Sequence, residues 1–245
     1  MSPLAERNWQ GVKAKKSGYI QEVDHDSLMC LARERKTVVR MVHGIGEFVV
    51  ENTELASLAL EAPPDQATID AINACYSVGR HRTVEQDPAF GIRQLVDVAL
   101  KALSPGINDT STAAMCVDYL AAILARLAPR QFPPMHCYEG GELRMIAIAP
   151  SFENLLAESF DQIRRSAEGN VAIMTRMLGT LQTIASLTTC PHRRRALREQ
   201  MQWIGELADR SIESAHDRAL VARQLTHVCE ALEAEPALCT GKNQE

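Results

Sequence analysis

"IRQLVDVALKALSPGINDTSTAAMCVDYLAAILARL", residues 92–127, decides the fold. On a wheel advancing about 100° per residue, Arg93, Gln94, Asp97, Lys101 and Ser104 fall in one narrow sector. Ile92, Leu95, Val96, Val98, Ala99, Leu100, Ala102 and Leu103 take the rest. So thin a polar face predicts a helix over 88–103 that is mostly buried and carries a charged stripe. "SPGIND" at 104–109 ends it, because Pro105 and Gly106 break the helical backbone. Asn108 or Asp109 then caps a second helix over 109–127 by accepting its free backbone N–H groups. Two apolar helices joined by so short a turn predict a helical core.

The charged stripe has chemistry of its own. Arg93, Asp97 and Lys101 are spaced i, i+4, i+8, so one carboxylate reaches both cations. Positive charge is in excess, and an outside acid or an anionic ligand would complete it. Asp118 is a candidate acid, on a narrow side shared with Ala114, Ala121 and Ala125. The first reading is structural: a polar seam that fixes helix register. The second is a ligand site at the start of helix 109–127, where free N–H groups and the dipole favour an anion. Arg93 and Lys101 would assist, with Arg80, Arg82, Glu85 and Asp87 from "RHRTVEQDP" at 80–88. Alternatively Glu85, Asp87, Asp97 and Asp109 supply oxygen ligands to a hard cation. None of these spacings is diagnostic.

Bulk properties narrow the class. The chain has 245 residues, 46% hydrophobic and only 4% aromatic, so Ala, Leu, Val and Ile must fill its core. A net charge of −5 argues against nucleic acid. The basic runs Lys13-Lys15-Lys16 and Arg193-Arg194-Arg195 read as solvated surface. Seven cysteines without a C-x-x-C pair suit a reducing compartment, and "MHC" and "CPH" are too isolated for a zinc site. No signal peptide is visible, and the nearest approach to a spanning helix, "YLAAILARLAP", is short and carries Arg126. Nucleophile-elbow, phosphate-loop, zincin and dinucleotide-binding motifs are all missing from the sequence.

Outward from the two helices, the patterns change. Residues 17–62 read as a small β-rich unit with strands at "GYIQEVD", "TVVRMV" and "EFVVENTELASLAL", the last broken at Asn52. A short helix, "DHDSLMCLARERK", is capped by Asp24 or Asp26. The "G-E-F-V…T-E-L-A" pattern resembles the hammerhead-like barrels of lipoyl and biotinyl carriers, without the modified lysine such carriers need. "EAPPDQ" at 61–66 marks a boundary. Helices follow at about 67–80, then at 88–103 and 109–127. After "PRQFPP", "MHCYEGGELRMIAI" reads as a hairpin turning at Gly140-Gly141. Helices at about 151–167, 170–187, 192–213 and 216–233 complete a helical domain over 67–235, and the last ten residues are expected to fray.

"RTVEQDPAFGIRQLVDVALKALSPGINDTSTAAMCVDYL", residues 82–120, closely resembles the central signature of the bacterial membrane proteins called domain-of-unknown-function family 2254. "SGYIQEVDHDSL" and "GEFVVENTELASL" resemble the segments that precede it. The resemblance is specific from about Ser17 to Arg130 and looser to about residue 215. It implies transmembrane helices ahead of this portion and brings no activity with it. The residues matching the signature are Arg82, Glu85, Gln86, Asp87, Arg93, Gln94, Asp97, Lys101, Ser104, Asn108 and Asp109; with Asp118 they form the candidate site.

The expectation is thus an α+β protein: a small β-barrel-like unit followed by a mainly helical domain with one hairpin. Its expected role is that of a non-enzymatic regulatory or assembly domain of a bacterial inner-membrane protein, ligand-sensing or transport-related, in a homo-oligomer that associates with a membrane-embedded portion. The chain as written reads as cytoplasmic, or as inner-membrane where an upstream transmembrane segment exists. The alternative is a metal-dependent hydrolase, or another enzyme acting on an anionic small molecule, with no cofactor assigned.

Overall fold

The structure, a computed structural model, describes residues 7–234. Cys239 and the expected frayed end lie outside the described residues. The fold is α+β. Two compact units divide it: Met1–Gly91 with Phe132–Pro150, and Ile92–Gln131 with Ser151–Glu245.

The first unit holds the strands β1 (Trp9–Lys13), β2 (Gly18–Val23), β3 (Val39–Met41), β4 (Phe48–Val49), β5 (Glu54–Ala59), β6 (Tyr76–Gly79), β7 (His136–Glu139) and β8 (Glu142–Ile146), with helices α1 (His25–Glu34) and α2 (Gln66–Ala74). The strands form two open sheets, ordered β1-β5-β3-β8-β7 and β4-β2-β6. The expected barrel-like closure is therefore absent: β4 and β5 flank Asn52, but each pairs into a different sheet. Asn52 sits at φ +65, a left-handed conformation that asparagine tolerates better than most residues. Sequence patterning found neither β1 nor β6. The helix expected to reach residue 80 ends at Ala74, and Tyr76–Gly79 pairs antiparallel with β2. The helical period cannot show this, since β6 is defined by a partner more than fifty residues away.

The hairpin forms as read, with Gly140 and Gly141 at φ +60 and +80, the positive values a two-residue primed turn requires. Its second strand, β8, lies parallel beside β3, pairing Val39 with Met145. The hairpin thereby extends the larger sheet. Ile20, Leu28, Leu55, Leu58 and Ile72 are buried in one cluster from strands and both helices. Truncating such a side chain to alanine costs about 2–5 kcal/mol.

In the second unit α3 (Pro88–Ala102), which starts in the first unit, is followed by α4 (Thr110–Leu127), α5 (Phe152–Ser166), α6 (Val171–Ala185), α7 (Pro191–Ser211) and α8 (Ala215–Glu233). Local chemistry sets their starts. Asp109, Ser151, Asn170 and Ser214 each accept the backbone N–H three residues on in the next helix, and Pro191 takes the first turn of α7. α6 packs against α4, α7 and α8 and buries Ile173, Met174, Met177, Leu178, Leu181 and Ile184.

The run Arg193-Arg194-Arg195, expected to be solvated, is largely structural. Arg194 donates to the carbonyls of Ala185 at 3.2 Å, Thr188 at 3.1 Å, Ala231 at 3.2 Å and Ala234 at 3.1 Å, and to that of Leu232. These are acceptors left over at the ends of α6 and α8, where a cation also suits the helix dipole. Arg193 does the same for Ala128 and Arg130 beyond α4, and its guanidinium lies over the Phe152 ring at 5.5 Å. Only Arg195, paired with Glu199 at 3.0 Å, is a well-exposed surface residue.

Candidate functional site

The signature 82–120 falls across both units, and each part has its own geometry. In the first unit, Arg82 grips Asp87: Nε and Nη2 donate to the same carboxylate oxygen at 2.9 and 2.7 Å. The other oxygen of Asp87 accepts the backbone N–H of Phe90 at 2.9 Å, which starts α3, with Pro88 in its first turn. Asp87 is only 4% exposed, so this pairing is what makes its burial tolerable. The Arg82 guanidinium also lies 5.1 Å above the Phe90 ring.

A glycine in another segment makes room for this pair. Gly46 has φ +83, and a Cβ there would collide with an Asp87 carboxylate oxygen and come within 2.7 Å of Arg82 Nη2. "HGIGEF" is therefore a turn shaped for the ion pair. Gln86 accepts the Val23 N–H through Oε1 at 3.2 Å, and Gln21 donates to the His81 carbonyl at 2.7 Å. Both stitch the segment to β2. Glu85 is exposed.

In the second unit the seam closes differently from the expectation. Arg93 pairs with Asp97 at 2.6 Å, and the outside acid is Glu158 on α5, at 3.5 Å. The carboxylates raise the Arg93 pKa, the Asp97 hydrogen bond first among the causes. Gln94 and Lys101 are exposed. α3 is less buried than its wheel suggests: Ile92, Val96, Ala99 and Ala102 are covered, whereas Val98 is 48% exposed. A wheel shows which residues are apolar, not how many neighbours the helix finds.

The turn answers to hydrogen bonding. Ser104 donates to the Lys101 carbonyl at 2.7 Å, and its own carbonyl accepts from Asn108 N–H at 2.9 Å. Asn108 takes φ +50. Asp109 accepts the Thr112 N–H at 3.0 Å and its hydroxyl at 2.5 Å. Those bonds, the hydroxyl's foremost, lower the Asp109 pKa. Asn170, the cap of α6, also donates to the Thr110 hydroxyl at 3.2 Å, tying the starts of α4 and α6 together. The two helices leave this knot side by side, and Asp118 meets Arg176 of α6 at 2.8 Å. Asp118 thus faces α6 and not the Arg93 seam.

Asp87, Asp97 and Asp109 are each committed to a cation or an N–H donor, and among the described residues no group of three or more His, Cys, Asp or Glu gathers as a metal site. What the second unit offers is a surface. Ala114, Asp118 and Ala121 of α4 and Ala172, Arg176 and Gly179 of α6 line an open groove of about 580 Å³. One position round α4 from that line stand Met115, 56% exposed, and Tyr119, 64% exposed. Sequence reading picked out Ala114, Asp118 and Ala121 as one side, but it missed Arg176, Glu158 and Gly46. A lone arginine in the apolar run of α6 was a usable signal for the first; the other two had none.

Among the described residues α4 is the one helix long and apolar enough to cross a membrane, with a mean hydropathy of 1.2. Buried helices of globular units pass the same test, and Ala113, Cys116, Val117, Leu120 and Leu124 of α4 are buried here. The family model described as predicted membrane protein (DUF2254) matches residues 2–183. Uncharacterised proteins of Mycobacterium bovis and Mycobacterium tuberculosis are each 32% identical to the chain over 226 residues, covering 90% of it and 43% of their own length. The chain therefore spans less than half the length of these relatives. No solved structure matches it.

Proposed function

The chain belongs to the DUF2254 family of predicted membrane proteins, and from that premise we propose that it is a non-enzymatic assembly domain of a bacterial membrane protein, joining copies of itself through α4. The outward side of α4 carries the reading. Surface helices place polar residues outward; α4 instead exposes Met115 and Tyr119 one turn apart, beside a groove in which Ala114, Ala121, Ala172 and Gly179 surround the Asp118–Arg176 pair and three threonines. Small residues let a second helix approach closely, and a tyrosine anchor at the centre of a contact is a common source of binding energy. The groove and the Met115–Tyr119 strip together fit the α4 of a second copy.

The polar seam serves this role by holding the helices that present α4. With Glu158 and Asp97 both against Arg93, its charge is met within the protein, which favours a scaffold over a ligand sensor.

The test is the self-association constant by sedimentation velocity, comparing the wild-type chain with the Met115→Glu/Tyr119→Glu double variant. Both positions are exposed, so the variant keeps its fold and melting temperature while losing association at least tenfold. Equal association of the two proteins would refute the proposal, as would a wild-type chain that stays monomeric at 100 µM.

A further inference from the structure

The exposed side of α4 is ordered along its length. Met115, Tyr119, Ala122 and Arg126 are all exposed, and they recur at steps of four, three and four residues. That is the spacing by which two helices wind about each other with their side chains interlocked. At about 100° per residue the four fall within one narrow sector, so they form a single strip. Size alternates at its middle, where the large Tyr119 is followed by the small Ala122. Charge marks its end: Arg126 stands in the last turn of α4 and pairs with no carboxylate among the described residues.

Size and charge together separate the two ways of laying α4 against its copy. With both helices running the same way, equal residues meet: Tyr119 on Tyr119, Ala122 on Ala122, Arg126 on Arg126. That gives one crowded layer, one empty layer and one repulsive layer. With the helices opposed about a two-fold axis midway between Tyr119 and Ala122, unlike residues meet. Tyr119 then lies over the partner's Ala122, and the reverse contact is identical, as two-fold symmetry requires. Met115 falls against the aliphatic stem of the partner's Arg126. At about 1.5 Å of rise per residue, that arginine starts about 4.5 Å along the axis from Asp118, within reach of its long side chain. The Asp118 carboxylate, 48% exposed, already accepts from Arg176 at 2.8 Å, and it keeps lone pairs for a second guanidinium.

Resting on the assembly role of α4, we infer that two copies join antiparallel along this strip, each Asp118 binding the partner's Arg126 beside its own Arg176. The contact occurs twice, once on each side of the axis, so the surface is charge-complementary to itself. Such an interface closes on itself as a dimer and does not propagate into a filament.

The test uses the full chain carrying Arg126→Glu or Asp118→Lys, read by sedimentation velocity and by native mass spectrometry of mixtures. Both side chains are exposed, so each variant should keep the wild-type circular dichroism spectrum. Alone, each variant sets like charges against each other across the axis and should self-associate at least about tenfold more weakly than wild type. Mixed in equal amounts, the two restore both opposite-charge contacts and should form a one-to-one heterodimer within about threefold of the wild-type constant. A parallel pair behaves differently, since Arg126→Glu only exchanges one like-charge contact for another. Unchanged self-association of Arg126→Glu would therefore overturn the inference, as would folded variants whose mixture fails to recover. Should Asp118→Lys lose its fold along with the Arg176 pair, Arg126→Glu decides alone. Either refutation leaves the assembly role of α4 standing, provided that wild type associates and Met115→Glu/Tyr119→Glu does not. A wild-type chain that stays monomeric removes both.

Discussion

Replacing Arg194 by alanine should be among the most damaging substitutions outside the apolar core. Its guanidinium donates to five carbonyls at the ends of α6 and α8. Two of these bonds leave Nη1 and three leave Nη2, and most are long, so about two full charge-assisted hydrogen bonds are at stake, each worth about 1.5–3 kcal/mol. Some of the freed carbonyls will be rehydrated, which lowers the loss to about 3 kcal/mol, a large part of the 5–15 kcal/mol that holds a typical domain folded. For a chain of this size that is a fall in melting temperature of roughly 6–12 °C. Lysine keeps the charge but not the planar fork, and should recover less than half of the loss. Arg195→Ala is the matched control: Arg195 is 79% exposed and pairs only with Glu199, so its removal should cost under about 0.5 kcal/mol. Urea unfolding of the three variants decides the matter. Indistinguishable midpoints for Arg194→Ala and Arg195→Ala would refute the reasoning.

Three further outcomes follow from the signature. Gly46→Ala forces a left-handed φ and a collision with the Arg82–Asp87 pair, and should cost about 2–4 kcal/mol by urea unfolding; a neutral effect would mean the pair moves freely. Arg93→Ala removes the partner of both Asp97 and Glu158, and should lower the melting temperature or weaken association; a variant unchanged in both would show that the seam has no structural role. Asp109 has a lowered pKa through its bonds to Thr112. A depressed folded-state value means stability that is full above the ordinary carboxylate pKa and is lost as pH falls through the lower one. Asp109→Asn should therefore melt below wild type at pH 7, with the gap closing as pH falls below the ordinary carboxylate range; a constant gap across the range would contradict this.

The sequence made helix starts and turns legible because their causes are local. Asp24, Asp109 and the Gly140-Gly141 pair act on residues one to three positions away, within reach of pattern reading. What stayed hidden depends on distant partners. β6 exists because β2 lies beside it, and β4 and β5 separate because each finds a different neighbour. The candidate site shows the same division. That Asp97 would pair with Arg93 was readable from helical spacing; that Glu158 would supply the second acid, and Arg176 the partner of Asp118, was not. The arginine run misled for a related reason: local sequence shows charge, while only the fold shows three helix ends waiting for donors.

The central claim is that α4 joins copies of the chain, and its most direct test is the mass in solution. Light scattering across a concentration series, from 1 to 100 µM, should show the mass rise from that of the 27.0 kDa chain to twice that value or more. The Met115→Glu/Tyr119→Glu variant should remain at the single-chain mass throughout. A wild-type chain that keeps the single-chain mass over the whole series would contradict the account.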